Sequence, residues 1–323
     1  MPELILHHYE LSPFARKVRA ALGLKRLAWR SAIVPSVPPR PALALLAGGY
    51  RRIPVLQYGA DVFCDSNLIL TVLDSLHPTP TLRAAHDTLT VPVSQWFEPR
   101  MFTVFSSLRF RTPEDVQGVF ADDAERAKFG RDRAAFMAPM IDISKNRENA
   151  PTCVAHARIM AGWVEGLLEH GGPFLQGTAP SHADFSAFHP FQWLKDKSAH
   201  RDFLSDFSKL WAWVARIEAF GEGEPTPIDE ADVLETAKAA RPAYRFGSPA
   251  GAPVDARLSG PEAPFEPALG ANVSVLPSDY GFEPVVGKLV SIGSDHISVA
   301  RSTPETGDVV VHFPRWGYRV TAS

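Results

Sequence analysis

The sequence predicts an α/β domain, followed by an all-helical domain and then by a small all-β domain. Residues 1–82 alternate short apolar runs with helical segments that carry one apolar face. Residues 85–222 place apolar side chains at helical spacing, whereas residues 268–323 contain short apolar runs separated by turn residues. A chain of 323 residues is long enough for these three domains, joined through residues 223–267.

Composition and charge narrow the class of protein. The apolar share of 45% and the charged share of 21% are typical of a soluble globular chain, and a net charge of −3 argues against a nucleic-acid-binding surface. Two cysteines, Cys64 and Cys153, make neither a disulfide framework nor a zinc site, and they fit a reducing compartment. The N-terminus shows no secretion signal and no apolar run is long enough to span a membrane. We therefore expect a cytoplasmic protein without nucleic-acid or membrane partners.

The first segment, residues 1–82, predicts the order strand, helix, strand, loop, strand, strand, helix. Ser12 is a preferred N-cap residue, and Pro13 occupies the favoured first position of the helix that follows. Proline and small residues fill residues 35–49, which predicts a loop with at most one helical turn. The last helix begins at Asp65 or Ser66. The predicted strands are residues 4–9, 29–34, 54–58 and 61–64.

The second segment, residues 85–222, predicts a group of helices. Ser181-His182-Ala183-Asp184 has the pattern of a helix-start capping box, with Asp in place of the usual Glu, and we interpret it as a folding feature. The predicted helices are residues 93–108, 125–140, 154–167 and 203–217, with one more that starts at Ser181.

The remaining sequence predicts a linker and a small barrel. Residues 223–267 are rich in Pro, Gly and Ala, with one helix over residues 229–240. Five short strands follow, and such a number in so short a stretch indicates a small barrel of the SH3 kind. Its aromatic residues, Tyr280 and Tyr318 among them, are needed for its own core, although a binding face is the alternative. The predicted strands are residues 273–275, 285–292, 296–300, 309–313 and 317–321.

The order of elements in residues 1–82 resembles the thioredoxin-like fold, and the helices behind it narrow this to the glutathione transferase superfamily. The resemblance covers about residues 3–220. It implies a homodimer that binds glutathione as co-substrate and activates its thiol for attack on an electrophilic small molecule. The matching residues are Ser12-Pro13-Phe14, Arg52 to Leu56, Asp65-Ser66 and Gly177 to Phe185.

The resemblance makes Ser12 the candidate catalytic residue, because serine-type members of the family use a serine there. A helix N-terminus and a hydroxyl donor both stabilise a thiolate. Phe14 follows in the same motif and is a candidate for substrate binding. Tyr9 is an alternative catalytic residue, because tyrosine-type members carry their hydroxyl near the end of the first strand. A third interpretation is that Ser12 is only an N-cap.

Two further pairs match the glutathione-binding residues of the family. The Ile53–Pro54 bond would be cis, so that the backbone of Ile53 pairs with the cysteinyl part of glutathione like an added strand. Asp65 suits the ammonium of the γ-glutamyl group, and Ser66 with the free N–H groups of a helix start suits its carboxylate. The alternatives are an ordinary edge-strand proline and a plain N-cap pair.

Two arginines are candidates for the glycyl carboxylate of glutathione. Arg40 lies thirteen residues before Ile53, where several family members carry a lysine, and Arg52 directly precedes Ile53. The alternative for each is a solvated surface charge.

Other residues argue against thiol–disulfide exchange, a cysteine nucleophile and a metal site. Ser12 and Ala15 replace both cysteines of a redox Cys-x-x-Cys motif, which makes thiol–disulfide exchange an unsuitable reaction. We interpret Cys64 as a buried strand residue rather than a nucleophile. The pair His7-His8 predicts no metal site, because adjacent strand residues point to opposite faces.

Two features depart from the family pattern and keep a second function open. The stretch Gly48-Gly49-Tyr50-Arg51-Arg52 is bulkier and more basic than the usual loop before the cis-proline, and residues 268–323 are additional to the standard architecture. A non-catalytic scaffold that binds a protein partner is therefore the alternative to an enzyme. For an enzyme, an apolar second-substrate pocket would lie along the first long helix. The candidate lining residues are Trp96, Phe97, Met101 and Phe102.

Overall fold

The computed structural model of the chain describes residues 2–84, 90–111, 116, 118–138, 140–195, 202–246, 267–293 and 295–323. They form two compact units. The first unit contains residues 1–15, 28–75 and 224–323, and the second contains residues 16–27 and 76–223. Within the described residues, every helix is too short or too polar to cross a bilayer.

The first unit is built on one sheet, in which the described strands follow the order β10-β6-β7-β8-β9-β4-β3-β1-β2-β5. The strands of the N-terminal half are β1 (Leu4–His8), β2 (Ala28–Ile33), β3 (Val55–Tyr58) and β4 (Asp61–Cys64). The later strands are β5 (Glu224–Pro227), β6 (Asn272–Pro277), β7 (Val285–Ile292), β8 (His296–Thr303), β9 (Gly307–Pro314) and β10 (Tyr318–Ala322).

Among the described residues of this unit, the helices are α1 (Pro13–Leu24, whose first three residues belong to it), α2 (Pro41–Ala47), α3 (Ser66–Leu76) and α9 (Glu230–Ala239). Local chemistry sets their limits. Ser12 Oγ accepts a hydrogen bond from Ala15 N at 3.2 Å, which caps α1, and Pro13 is its first residue. Helix α2 starts at Pro41 and ends at Ala47, and the residue that follows it, Gly48, has a left-handed φ of 70°. The hairpin β3–β4 turns at Gly59, with φ of 63°.

One apolar cluster joins the N-terminal strands to the C-terminal ones. Ile5, Val55 and Val62 from the N-terminal half are fully buried in the same cluster as Val299 and Val311. The link is the parallel pairing of β4 with β9, in which Asp61 lies opposite Val310 and Phe63 lies opposite His312. The predicted first and last domains therefore share one sheet.

The second unit is helical, as predicted. Its elements besides the rest of α1 are α4 (Thr90–Arg109), α5 (Asp123–Met137), α6 (Asn146–Gly171), α7 (His182–Lys195) and α8 (Ser208–Glu218), with short 3-10 helices at Ile143–Lys145 and Asp202–Leu204. Phe105 on α4 packs edge-on against Phe191 on α7, with ring centroids 4.8 Å apart. Trp213 on α8 is fully buried beside Phe188 and Phe191.

The predicted capping box at the start of α7 is confirmed. Asp184 Oδ2 accepts hydrogen bonds from the backbone N–H and the hydroxyl of Ser181, at 2.8 and 3.0 Å. Its Oδ1 accepts from Leu175 N and Trp213 Nε1, so the carboxylate also ties α7 to α8. Burial raises the pKa of Asp184, and these four donors oppose the rise.

Several local features also differ from the prediction. Residues 41–47 form a helix of two turns rather than one, and the helix expected from residue 203 starts at Ser208. The predicted linker contributes strand β5, which pairs parallel with β2 at the sheet edge. Its prolines, Pro225 and Pro227, argue against a strand in a sequence, but an edge strand tolerates them because one side makes no ladder bonds. The predicted linker helix is confirmed as α9, and residues 247–266 of the linker lie outside the described residues.

Candidate functional site

The register of the sheet brings the predicted site segments to one end. His7 of β1 lies opposite Val55 of β3, and Val55 lies opposite Cys64 of β4. Strands β1 and β4 end here and β3 begins here. The residues that follow β1 and β4 therefore meet those that precede β3 at this end of the sheet. They are the segment after His8, the Ile53–Pro54 bond and the Asp65–Ser66 pair. Neighbouring strands lie about 4.8 Å apart, so the three segments share a region about 10 Å wide.

Ser12 lies at the N-terminus of α1 and is buried. Its backbone N–H donates to Tyr9 O at 3.1 Å, and its Oγ accepts from Ala15 N. Ser12 therefore caps α1, and this cap does not use the hydroxyl proton as a donor. A serine hydroxyl that accepts a cap bond still has one proton to give to a nearby anion.

Tyr9, the alternative catalytic residue, and Phe14, the candidate for substrate binding, lie at the same end of the sheet as Ser12. Tyr9 follows β1 and is half-buried, with the Arg40 guanidinium 5.9 Å from its ring centre. Phe14 is also half-buried, in the first turn of α1.

The Ile53–Pro54 peptide bond is cis, which confirms that prediction. Both residues are buried directly before β3.

Asp65 connects β4 to α3 and holds an unusual backbone conformation. Its φ is 81°, in the left-handed region that few residues other than glycine adopt. Its Oδ1 accepts a hydrogen bond from Asn67 N at 2.9 Å, which caps α3, while its Oδ2 lies 3.4 Å from the Tyr318 hydroxyl. Ser66 is buried as the first residue of α3. The pair therefore caps a helix and also aims a half-buried carboxylate at this end of the sheet.

Arg40 is buried rather than solvated, so the surface-charge interpretation is wrong for it. Its guanidinium donates to three backbone carbonyls, those of Pro35, Ser36 and Arg51, at 2.7 to 2.8 Å. These bonds tie the loop before α2 to the loop before β3.

Arg52 is engaged by the C-terminal part of the chain. It donates hydrogen bonds to Asp279 Oδ1 and Tyr280 O, and its guanidinium lies 3.8 Å from the centre of the Tyr280 ring. The neighbouring Arg51 donates to Glu283 Oε1 at 2.7 Å. The side chain of Arg52 is only 13% exposed, so a solvated charge is a wrong description here too.

The bulky stretch of residues 48–52 is thus a docking segment for the C-terminal strands. Tyr50 is buried, and its hydroxyl lies 2.7 Å from that of Tyr318, while its ring packs edge-on against Phe313. The sequence prediction missed Tyr318 as a neighbour of Asp65. The sequence signal for this contact was the departure of residues 48–52 from the family pattern. An additional C-terminal segment that packs on the domain needs contact residues there.

Cys64, His7 and His8 are buried, and their contacts belong to the core of the sheet unit. Cys64 is fully buried, which confirms the prediction, and burial together with the Asp65 charge raises the pKa of its thiol. His7 Nε2 lies 3.1 Å from Gln57 Oε1 of β3, and His8 Nε2 lies 2.9 Å from Ser31 Oγ of β2, so the two imidazole rings have different partners. The described residues contain no group of three or more His, Cys, Asp or Glu side chains that could hold a metal ion.

The candidate second-substrate residues divide between core and surface of the helical unit. Met101 is fully buried, whereas Trp96 is 52% exposed. Phe97 lies between Trp96 and Trp163, with ring centroids 6.4 and 6.1 Å away. Phe102 stacks on Trp193 at 6.4 Å.

Comparison with known proteins agrees with this architecture. The family described as glutathione S-transferase, N-terminal domain, matches residues 6–81, and the one described as glutathione S-transferase, C-terminal domain, matches residues 151–216. A comparison with curated protein sequences finds no match.

Among solved structures, a GST-like protein from Pseudomonas syringae is 31% identical over the full length of both chains, with a TM-score of 0.76. A glutathione S-transferase from Rhodospirillum rubrum is 19% identical, over 67% of this chain and 88% of its own, with a TM-score of 0.49. One from Methylobacterium radiotolerans, solved in complex with glutathione sulfonate, is 19% identical over 76% of this chain and all of its own, with a TM-score of 0.45. Because the match to the Pseudomonas syringae protein covers the full length of both chains, it includes residues 268–323. With the capped α1, the cis-proline and the matched N- and C-terminal domains, the chain belongs to the glutathione S-transferase superfamily.

Proposed function

We propose that the protein binds glutathione at the end of the sheet defined by Ser12, Pro54 and Asp65, and activates its thiol for attack on an electrophilic small molecule. The convergence of these three segments, through the register of β1, β3 and β4, carries the proposal. The backbone of Ile53 would pair with the cysteinyl part. Asp65 and Ser66 would receive the γ-glutamyl ammonium and carboxylate.

Ser12 would act on the sulfur. A thiol with a pKa of about 8.5 is only about 3% ionised at pH 7, and lowering the pKa by about two units would raise this to roughly three quarters. That shift corresponds to about 2.7 kcal/mol, which is within the reach of a helix N-terminus and a charge-assisted hydrogen bond acting together. The thiolate then forms a bond to the electrophilic carbon of the substrate, and the leaving group departs with the electron pair. Tyr9 remains the alternative donor of the hydrogen bond.

The experiment separates binding from activation. Calorimetric titration with glutathione should give a micromolar to millimolar Kd, which Ser66→Ala weakens by roughly tenfold and Ser12→Ala leaves nearly unchanged. Ultraviolet difference absorbance of the bound thiolate should fall in Ser12→Ala, because the donor to the sulfur is gone. Ser12→Thr, which keeps both the hydroxyl and the helix cap, is the matched control. Absence of heat at about 10 mM glutathione would exclude the proposal.

A scaffold that binds a protein partner is the second candidate function. The observation that favours it is the engagement of Arg40, Arg51 and Arg52 by groups of the chain itself, because these are cations that a glycyl carboxylate would otherwise use. The same titration distinguishes the two functions. Arg40 and Arg52 stay candidates for the glycyl carboxylate only if glutathione displaces their present partners.

We also propose that β6 to β10 form a partly closed barrel of the SH3 kind. The strands β10 and β9 lie at opposite ends of the five-strand order, yet only residues 315–317 connect them. Four residue steps span at most about 14 Å, whereas five flat strands would place these ends about 19 Å apart. The strands must therefore curl towards each other, as the 5.5 Å separation of the Phe313 and Tyr318 rings also indicates.

The division into residues 1–82, 85–222, 223–267 and 268–323, the cytoplasmic location and the homodimer remain predictions. Buried thiols at Cys64 and Cys153, without a disulfide, support a reducing compartment. Several large apolar side chains of the helical unit are about half exposed and would suit a subunit interface. They are Trp96, Ile159, Trp163 and Leu167.

A further inference from the structure

We propose that Tyr318 positions the Asp65 carboxylate, so that the C-terminal strands determine how tightly this site holds the ammonium group of glutathione. The inference rests on the proposed function, since it assigns Asp65 to that ammonium. It gives residues 268–323 a part in ligand recognition.

Asp65 needs positioning because its backbone is in an uncommon conformation. A φ of 81° in a residue with a Cβ costs on the order of 1 kcal/mol and must be held by its surroundings. One carboxylate oxygen accepts from Asn67 N at 2.9 Å, which fixes the side chain against α3. The second oxygen lies 3.4 Å from the Tyr318 hydroxyl, a long contact that a bound ligand could shorten.

The proposal assigns a direction to the hydrogen bonds behind this contact. In this proposal Tyr318 donates its single proton to Asp65 Oδ2, so in the 2.7 Å contact with Tyr50, where either hydroxyl is able to donate, Tyr50 is assigned as the donor. Burial raises the pKa of both phenols well above the ordinary value for tyrosine, which keeps both protonated at neutral pH. Tyr50 therefore polarises the Tyr318 hydroxyl and strengthens its donation to the carboxylate.

The surrounding contacts fix the ring of Tyr318. It is buried at the first residue of β10, opposite Pro277 of β6, and its ring packs on those of Tyr50 and Phe313 at 6.5 and 5.5 Å. The chain reaches this end of the sheet because β9 runs parallel to β4 and ends beside it, four residues before Tyr318. The hydroxyl thus lies at the same strand ends that carry Ser12 and Pro54.

The experiment compares two ligands on the full chain by calorimetry, glutathione and its deaminated analogue glutarylcysteinylglycine, which lacks only the α-amino group. Tyr318→Phe should weaken the binding of glutathione by about fivefold or more, and that of the analogue by less than about twofold. Tyr50→Phe should act in the same direction but less strongly, because it removes only the polarising donor. Tyr244→Phe, which removes a hydroxyl that bonds Ser75 in the same unit, is the matched control and should change neither affinity.

The outcomes are distinct. Equal weakening of both ligands by Tyr318→Phe would show a general structural defect and overturn the inference, and so would unchanged binding of both. In either case glutathione binding by the unsubstituted chain would leave the proposed function standing. If the unsubstituted chain binds neither ligand at about 10 mM, the proposed function fails and the inference fails with it.

Discussion

At the scale of single residues, the buried His7 makes the stability of the sheet unit depend on pH. His7 Nε2 lies 3.1 Å from Gln57 Oε1, and Gln57 Nε2 donates to the carbonyls of Gly59 and Val233. This network connects β1, β3 and α9 inside the core. His7 is buried, and burial lowers the pKa of His7 to about 4, with the Gln57 hydrogen bond opposing the shift only in part.

Substitution of His7 should therefore reduce the dependence of stability on pH. Because the pKa of His7 is lower in the folded protein than its ordinary 6.5, the unfolded chain binds the extra proton below pH 6.5. The stabilising contribution is complete above pH 6.5 and is lost as the pH falls towards 4. Between pH 7 and pH 5 the loss should be about 2 kcal/mol.

Urea unfolding of the protein and of His7→Gln at these two pH values measures the effect. The variant is less stable at pH 7, but its stability should fall by about 2 kcal/mol less on acidification. Equal decreases in the two proteins would refute the assignment. His312, whose pKa burial also lowers, adds the same background slope to both proteins.

At the scale of elements, the glycine that follows α2 allows β7 and β8 to pack closely against the backbone at the end of this helix. Gly48 and Gly49 both have left-handed φ values, of 70° and 86°. A Cβ on Gly48 would lie 1.7 Å from Arg301 Nη1 and 2.7 Å from Val285 Cγ1, whereas one on Gly49 would have no described heavy atom within 4 Å apart from its own residue and the two adjacent in the chain. The backbone conformation is alike at the two positions, but only Gly48 touches β7 and β8.

Alanine at these two positions should separate backbone strain from docking. Gly49→Ala should cost about 1 kcal/mol of unfolding free energy, from its left-handed φ alone. Gly48→Ala should cost roughly 1–3 kcal/mol more, because Arg301 must move and the buried Val285 side chain must shift. Thermal or denaturant unfolding gives both values, and similar costs for the two variants would contradict the docking role of Gly48.

At the scale of the whole molecule, the shared sheet predicts that N-terminal and C-terminal strands of the first unit unfold together. Val311 of β9 is fully buried and pairs with Val62 of β4. Val311→Ala should cost about 2 kcal/mol. Hydrogen exchange should show this loss in the amides of β1 and β3 as well as in those of β7 and β8. Unchanged protection in β1 and β3 would mean that residues 268–323 are an independent domain, and Val286→Ala, on the exposed face of β7, is the control.

The sequence predicted what depends on neighbouring residues. The cap at Ser12, the two strands on either side of Gly59 and the capping box at Asp184 are local patterns, and each is found where it was expected. The thioredoxin-like order and the cis bond before Pro54 followed from the family resemblance, not from the local pattern alone.

Distant contacts were outside the reach of that reasoning. Asp279 and Glu283 lie more than 220 residues after the arginines they pair with, and no periodicity records such a pairing. The same holds for Tyr318 beside Asp65. Residue type alone also does not identify the partner of an arginine, because its guanidinium binds a ligand carboxylate, a protein carboxylate or several backbone carbonyls equally well.

The parallel pairing of β4 with β9 has a consequence for synthesis of the chain. Strand β4 leaves the ribosome early, but its partner follows about 250 residues later, which is roughly 12 to 50 s at the usual rates of translation. Throughout that interval the hydrogen-bonding edge of β4 is open to pairing with other chains. Nascent protein should therefore depend on chaperones until the last strands emerge, and a fragment that stops before β9 should be prone to aggregation.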